Sequence, residues 1–267
     1  MKAIYSSTYD PLYSFFIPIA AYSWLKLGVT SEVFMPVPNQ AKDVELLQFM
    51  QHVIHQYVLP VRFHSFTAPE HKQATYTQAA RLFGGTLPGI HEEELLITTD
   101  VDMAVFSREL VDQDFKIHVW GNDLVPPGQL AMCYVSMPKW KWRKVMRCDN
   151  DSYQQLLDLA LGSIECESFR GNYWGFDQEV LWSKISAHDY TTHMRAYPGT
   201  QFASHRVDRD DAFWHNKIGP GLIDAHLWRP GYEPKNFDNI MELFRRVYPG
   251  DNMDWLIDYR NKFMEFV

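Results

Sequence analysis

Two carboxylates stand two residues apart at the end of an apolar run, Ile97-Thr98-Thr99-Asp100-Val101-Asp102, and the apolar Met103-Ala104-Val105-Phe106 follows directly. A hard divalent cation takes oxygen ligands, and a chain turning off a strand can aim both side chains at one ion. Such an ion, Mn²⁺ or Mg²⁺, can bridge two phosphate oxygens and stabilise a diphosphate leaving group as negative charge builds on it. A bare Asp-x-Asp is common by chance, with one aspartate capping a turn and the other solvated. The informative feature here is position. The pair follows a buried-type strand and three strand–helix units, and ligands of α/β sheets sit outside the carboxyl ends of strands.

A second stretch, Phe169-Arg170-Gly171-Asn172-Tyr173-Trp174-Gly175-Phe176-Asp177-Gln178-Glu179, sets aromatics between glycines and places carboxylates at a helix start. Ring faces suit the C–H faces of a sugar, and carboxylates accept hydroxyl protons. Asp177 is equally a good helix N-cap and Glu179 a good first-turn residue. Asp208, in Arg206-Val207-Asp208-Arg209, is a weaker candidate for the same role and reads more simply as a salt-bridged surface group. Trp120-Gly121-Asn122-Asp123 and Lys139-Trp140-Lys141-Trp142 are further candidates to line an acceptor groove.

The elements that must position these residues follow from periodicity. Residues 2–8 read as a short buried strand, 11–27 as an apolar helix and 32–37 as a second strand. Asp43 is placed to cap a helix to Tyr57, with Val44, Leu47, Met50 and Ile54 on one face. Pro60 stops it. Residues 61–66 alternate as a strand, 73–83 form a helix ended by Gly84-Gly85, and 95–99 form the strand running into Asp100. This alternation is that of an α/β fold with a parallel sheet. The second half is mixed. Strands are expected at 116–120, 129–135, 191–204 and 221–228. Helices are expected from Ser152, which opens a capping box, to Leu161, from Asp177 to Ile185, and over 237–247 and 252–266.

The chain has 267 residues, 46% of them hydrophobic, enough for a substantial core, and no linker or repeat divides it. Its net charge of −8 argues against nucleic acid as a partner, and the short basic–aromatic run at 139–142 does not outweigh that charge. Cys133, Cys148 and Cys166 are odd in number and lack metal-site spacing, which disfavours a disulfide framework and fits a reducing, cytoplasmic setting. Residues 11–29 carry Lys26 as their only charge. Ser14, Pro18 and Ser23 interrupt them, and strands flank them on both sides, so they are expected to form a core helix rather than a membrane span.

In the order of these elements over nearly the whole chain, and in Asp100-Val101-Asp102, the sequence resembles the GT-A glycosyltransferases. The compact, anchor-free layout is most similar to small soluble GT-A domains such as those of large algal viruses. The resemblance implies one domain over 1–267, with a Rossmann-like nucleotide-sugar-binding half (1–106) and an acceptor-binding half (107–267). It implies metal-dependent transfer of a sugar from a nucleotide-sugar donor, UDP-linked by family preference, to a hydroxyl of a glycan acceptor. By the same resemblance, the loop Tyr5-Ser6-Ser7-Thr8 contacts base and ribose, often through backbone groups, Gln78 and Arg81 on one helical face meet the donor, Asp100 and Val101 bind it as well, and Asp100 and Asp102 are the metal ligands. A late histidine supplies a third ligand, with His226 preferred over His215. Lys217 or Arg229 neutralises the departing diphosphate, and Asp177 acts as the acceptor-side carboxylate, a general base in inverting members. The HxxGxxKPW pattern of one retaining branch is missing, which leaves the histidine assignment open. Two other readings remain: a nucleotidyltransferase, although Ser6-Ser7-Thr8 replaces the usual Gly-rich basic loop, and a non-catalytic carbohydrate-binding protein.

Overall fold

A computed structural model describes residues 1–148, 152–161, 175–187, 190–199 and 204–267. The strands are β1 (Lys2–Ser6), β2 (Thr30–Pro36), β3 (Val61–Phe66), β4 (Leu95–Thr98), β5 (Met103–Val105), β6 (Ile117–Trp120), β7 (Val135–Pro138), β8 (Met194–Tyr197), β9 (Arg206–Asp208) and β10 (Asp224–His226). The helices are α1 (Pro11–Ser14), α2 (Ile17–Lys26), α3 (Ala41–Gln56), α4 (Gln73–Ala80), α5 (Lys139–Met146), α6 (Tyr153–Leu161), α7 (Phe176–Ala187), α8 (Pro234–Val247) and α9 (Asp254–Phe263).

Seven strands form the central sheet in the order β3-β2-β1-β4-β7-β6-β8. Only β7 opposes its neighbours, so the other six run in one direction. Alternate residues of β1, β2 and β4 feed two cores, which is why these inner strands carry apolar residues at successive positions. Ala3, Tyr5, Val33, Met35 and Ile97 pack on the face covered by α2, α3, α8 and α9. Ile4, Phe34 and Leu96 pack on the face covered by α4, α5, α6 and α7. A second sheet, β5-β10-β9, stands beside the first. Strands from both halves of the chain thus share the central sheet. Among the described residues no helix is long and apolar enough to cross a membrane.

Several boundaries differ from the sequence expectation. The helix expected over 11–27 is two helices. Asp10 caps α1 by accepting from the Leu12 amide at 2.9 Å, and α2 restarts at Ile17 with Pro18 in its first turn, where a missing N–H costs nothing. Asp43 is not the cap of α3. Gln40 precedes the helix and Asp43 lies in its first turn, so the buried face is Leu46, Met50, Val53 and Ile54, with Val44 exposed. The strand expected over 129–135 begins only at Val135 and runs to Pro138. Lys139 to Trp142 open α5 at the amino end of β4, where Lys139 Nζ donates to the Ile90 carbonyl at 2.9 Å and Trp142 Nε1 to the Leu96 carbonyl at 3.2 Å. That run is therefore packed away from the sheet's carboxyl edge and lines no acceptor groove there.

After α4 the chain tightens into a 3₁₀ turn, Arg81–Thr86. A Cβ on Gly84 would come within 2.3 Å of Ile4 Cδ1, and one on Gly85 would meet the Arg143 backbone nitrogen at 3.0 Å. Close approach of this turn to β1 and α5 is what holds Arg81 in place. Gly84→Ala is expected to destabilise the protein by about 1–3 kcal/mol, because Ile4 is buried and cannot swing clear. Denaturant titration reads this, and an unchanged midpoint with unchanged slope would remove the packing role.

Candidate active site

Strand β1 has β2 on one side and β4 on the other, so the chain connections diverge there and leave a crevice at the carboxyl edge. The loop after β1 and the turn after β4 border that crevice. In the first, the Ser7 amide donates to the Phe34 carbonyl at 3.0 Å, and Thr8 Oγ1 accepts from the Asp10 amide at 3.2 Å. Ser6 and Thr8 are partly exposed, whereas Tyr5 is a core residue whose hydroxyl lies 3.5 Å from the Ile17 carbonyl. The Tyr5 side chain is thus turned away from any ligand at this edge, and only its backbone borders the crevice.

The Thr99 amide extends the sheet contact to Ile4, and a turn then closes from the Met103 amide to the Asp100 carbonyl at 3.2 Å. A strand would keep residues two apart on one side. This turn does not, and the two aspartates join different clusters. The Asp100 side chain is 41% exposed and accepts from Arg81 Nη1 at 2.5 Å. The Asp102 side chain is 6% exposed and faces the second sheet. Val101 between them is buried.

Strand pairing builds the Asp102 cluster. β10 runs antiparallel to β5, with His226 opposite Met103, and the Leu227 amide donates to the Asp102 carbonyl at 2.9 Å. His226 Nε2 therefore stands 3.1 Å from Asp102 Oδ2. β9 pairs with the other edge of β10, bringing Asp208 opposite His226, and Nδ1 of the ring faces Asp208 Oδ2 at 3.7 Å. Arg209 Nη1 donates to Asp102 Oδ2 at 3.0 Å, and Arg229 Nε stands 3.2 Å from the same oxygen. Burial alone would raise the Asp102 carboxyl, but His226, Arg229 and Arg209 outweigh it and hold it below the usual range. Burial alone would lower the His226 imidazole, but Asp102 and Asp208 outweigh it and raise it to about 9.

Arg81 links the other two acids. Its Nε donates to Asp177 Oδ2 at 2.8 Å, Nη2 lies 2.6 Å from the same oxygen, and Nη1 reaches the Thr99 carbonyl at 3.1 Å as well as Asp100. Asp177 lies in the first turn of α7, which begins at Phe176, almost fully buried, and its Oδ1 accepts from the Gln178 amide at 3.0 Å. Burial pushes its carboxyl up, against the pull of Arg81. A general base must reach the proton it removes. With both oxygens engaged and no open face, Asp177 orients Arg81 and is not poised as that base.

The remaining expectations sort by contact. Gln78 is half-buried on α4. Lys217 Nζ lies 2.8 Å from Asp211 Oδ2, outside the Asp102 cluster. His215 stacks on Trp214 and stands 3.2 Å from Glu242 Oε2 on α8, so of the two histidines it is His226 that meets Asp102. Trp120 is buried against Tyr197 with rings 4.9 Å apart, and Asp123 accepts from the Gly199 amide. The aromatic residues 169–174 lie outside the described residues. Asp208 is the salt-bridged surface group it was read as, 42% exposed and paired with His226. Sequence reasoning missed Arg209. It also missed a buried anchor under β9 and β10, where Arg206 grips Asp224 through Nε at 2.9 Å and Nη2 at 2.7 Å, and the Tyr134 hydroxyl donates to Asp224 at 2.9 Å. An aspartate inside the apolar run Ile223-Asp224-Ala225 was the available signal, since a buried carboxylate needs a partner.

No protein-family profile matches the sequence, and no curated protein matches it either. Solved structures do match the fold. The galactosyltransferase LgtC, in complex with donor and acceptor sugar analogs, aligns with a TM-score of 0.52 at 11% identity over 96% of this chain and 99% of that one. The glycosyltransferase GlyE of Streptococcus pneumoniae TIGR4 aligns with a TM-score of 0.51 at 13% identity over 99% of this chain. The alignment spans 63% of GlyE, less than two thirds of its length. At such identities the likeness establishes architecture alone, and with its mostly parallel seven-stranded sheet this chain has the GT-A fold of the glycosyltransferases.

Proposed function

We propose that this protein transfers a sugar from a nucleotide-sugar donor, UDP-linked, to a hydroxyl of a glycan acceptor, and that Asp102 and His226 hold a divalent metal, Mn²⁺ or Mg²⁺, which Asp100 joins on leaving Arg81. The observation that carries the reading is Asp102 Oδ2 beside His226 Nε2 at the carboxyl edge of a GT-A sheet, 3.1 Å apart. Adjacent ligands of an octahedral ion with bonds of about 2.1 Å stand about 3.0 Å apart, so this pair has a suitable spacing. A carboxylate oxygen suits Mn²⁺ or Mg²⁺, and a carboxylate behind the ring, here Asp208, is the usual support of a metal-binding histidine.

Among the described residues no group of three or more acidic, histidine or cysteine side chains is gathered for a metal ion. Sites that share their ion with substrate phosphates need only one or two carboxylates from the protein, so the pair is sufficient and Asp100 at the open edge can add to it. When bound, the ion would neutralise charge on the diphosphate. The chain's own residues do the rest. Asp177 fixes Arg81, whose guanidinium at the crevice suits donor oxygens. Arg229 supplies positive charge toward the diphosphate. The loop Ser6-Ser7-Thr8 borders the base and ribose. That LgtC has been solved with donor and acceptor sugar analogs supports looking for both ligands here.

Titration of UDP-sugars with and without Mn²⁺ tests the proposal. Release of a nucleoside diphosphate that requires the metal is expected. Pyrophosphate release would favour nucleotidyl transfer instead, and absence of any donor turnover, including slow hydrolysis, would favour a binding protein.

A further inference from the structure

Asp102 is served by more cations than one oxygen can hold once a metal arrives. Arg209 Nη1 at 3.0 Å, His226 Nε2 at 3.1 Å and Arg229 Nε at 3.2 Å all converge on Oδ2. A carboxylate oxygen offers about two lone-pair sites. A divalent ion bound to that oxygen would also lie next to two guanidinium groups, and like charges at such range repel strongly in a buried setting. His226 stops donating once its Nε2 gives up its proton to bind the ion, which leaves Arg209 and Arg229 beside the ion on one oxygen, so one of the two arginines must leave.

His226 is fixed, because its strand is paired on both edges by β5 and β9. The Arg229 guanidinium lies over the Tyr13 ring at 5.1 Å, which holds it by a second contact. Arg209 has no such anchor. It follows the last residue of β9, in a turn closed by the Asp210 amide on Asp208 Oδ1 at 3.2 Å, and its side chain is 21% exposed. Among the described residues Asp102 is its one ion-pair partner. Arg206, three residues earlier, makes the contrast: it is 12% exposed and held by both oxygens of Asp224.

We propose that Arg209 is an exchangeable counter-ion of the site. It occupies Asp102 in the donor-free protein, gives way to the divalent ion, and swings its planar fork to the donor's diphosphate, a geometry that guanidinium groups match with two hydrogen bonds. Arg209 is then a donor-binding residue as well as a placeholder that weakens metal binding until the nucleotide arrives. The inference rests on the metal and nucleotide reading of this site.

The test measures two affinities on Arg209→Ala and Arg209→Lys: Mn²⁺ alone, by the electron paramagnetic resonance signal of the free ion, and UDP in the presence of saturating Mn²⁺, by calorimetry. Competition predicts opposite signs. In Arg209→Ala, Mn²⁺ alone binds tighter and UDP binds weaker, each on the order of tenfold. Arg209→Lys retains part of the UDP affinity through its charge. A merely structural arginine would weaken both or neither, so any result other than opposite shifts in a variant with native circular dichroism overturns the inference. If the unsubstituted protein binds neither Mn²⁺ nor UDP, the reading of the site itself fails and the inference falls with it. If the unsubstituted protein binds both, only the role of Arg209 is at stake.

Discussion

Asp102→Ala should lose sugar transfer by roughly a thousandfold or more, since the substitution removes the oxygen on which the proposed metal site is centred. The same change should cost stability. Arg209, Arg229 and His226 would face one another without their shared anion, and breaking a buried charge cluster by deleting one partner costs about 3–5 kcal/mol. The lower end applies here, because the side chains of these three partners are 21–24% exposed and can turn toward water. Asp102→Asn separates the two effects. It keeps the shape and a hydrogen-bond acceptor, so it should fold better than the alanine variant yet remain as inactive. Product formation measured against Mn²⁺ concentration, with thermal unfolding of each variant, is the relevant pair of measurements. Full, metal-independent turnover by Asp102→Ala would reject the metal assignment outright.

Arg81→Met should be both unstable and inactive. Asp177 is 1% exposed and its charge is answered by Arg81 Nε and Nη2. Left without that partner it becomes an uncompensated buried carboxylate, at a cost of about 3–5 kcal/mol, or a fall of roughly 10 °C in thermal midpoint for a chain of this size. Asp100 contributes little to that loss, because its exposed carboxylate can be solvated. The informative variant is the pair Arg81→Met with Asp177→Leu. Apolar replacement of both members of a buried ion pair is often neutral, so much of the midpoint should return. Activity should not return, because the guanidinium proposed to meet donor oxygens is still missing. Recovery of both, or of neither, would contradict the division of labour in which Asp177 positions and Arg81 binds.

Much of the first half was legible because its signals are local. Buried-type strands at 2–6, 30–36, 61–66 and 95–98 are short apolar runs between helices, and their order implies a parallel sheet with ligands at its carboxyl edge. Boundaries failed where local signals competed. Pro18 was read as an interruption inside one helix, but it starts a second. Lys139 to Trp142 alternate basic and aromatic residues, which suggests a groove wall, yet they begin a helix whose Trp142 is buried. At Tyr5 the parity of the strand sends the ring into the core and leaves the backbone at the sheet's edge.

By itself the sequence determined that a carboxylate pair ends a buried strand of an α/β sheet, since apolar runs and turns are set by neighbours in the chain. It could not determine what those carboxylates touch. Asp102 meets Arg209 across 107 residues and His226 across 124, and Arg81 meets Asp177 across 96. Those contacts depend on β10 pairing between β5 and β9 and on α4 lying against α7, arrangements decided by the burial of whole surfaces. The turn after β4 then separated two aspartates that spacing alone would place side by side. The pairing of distant strands turned a short charged run at 206–209 into one wall of the site.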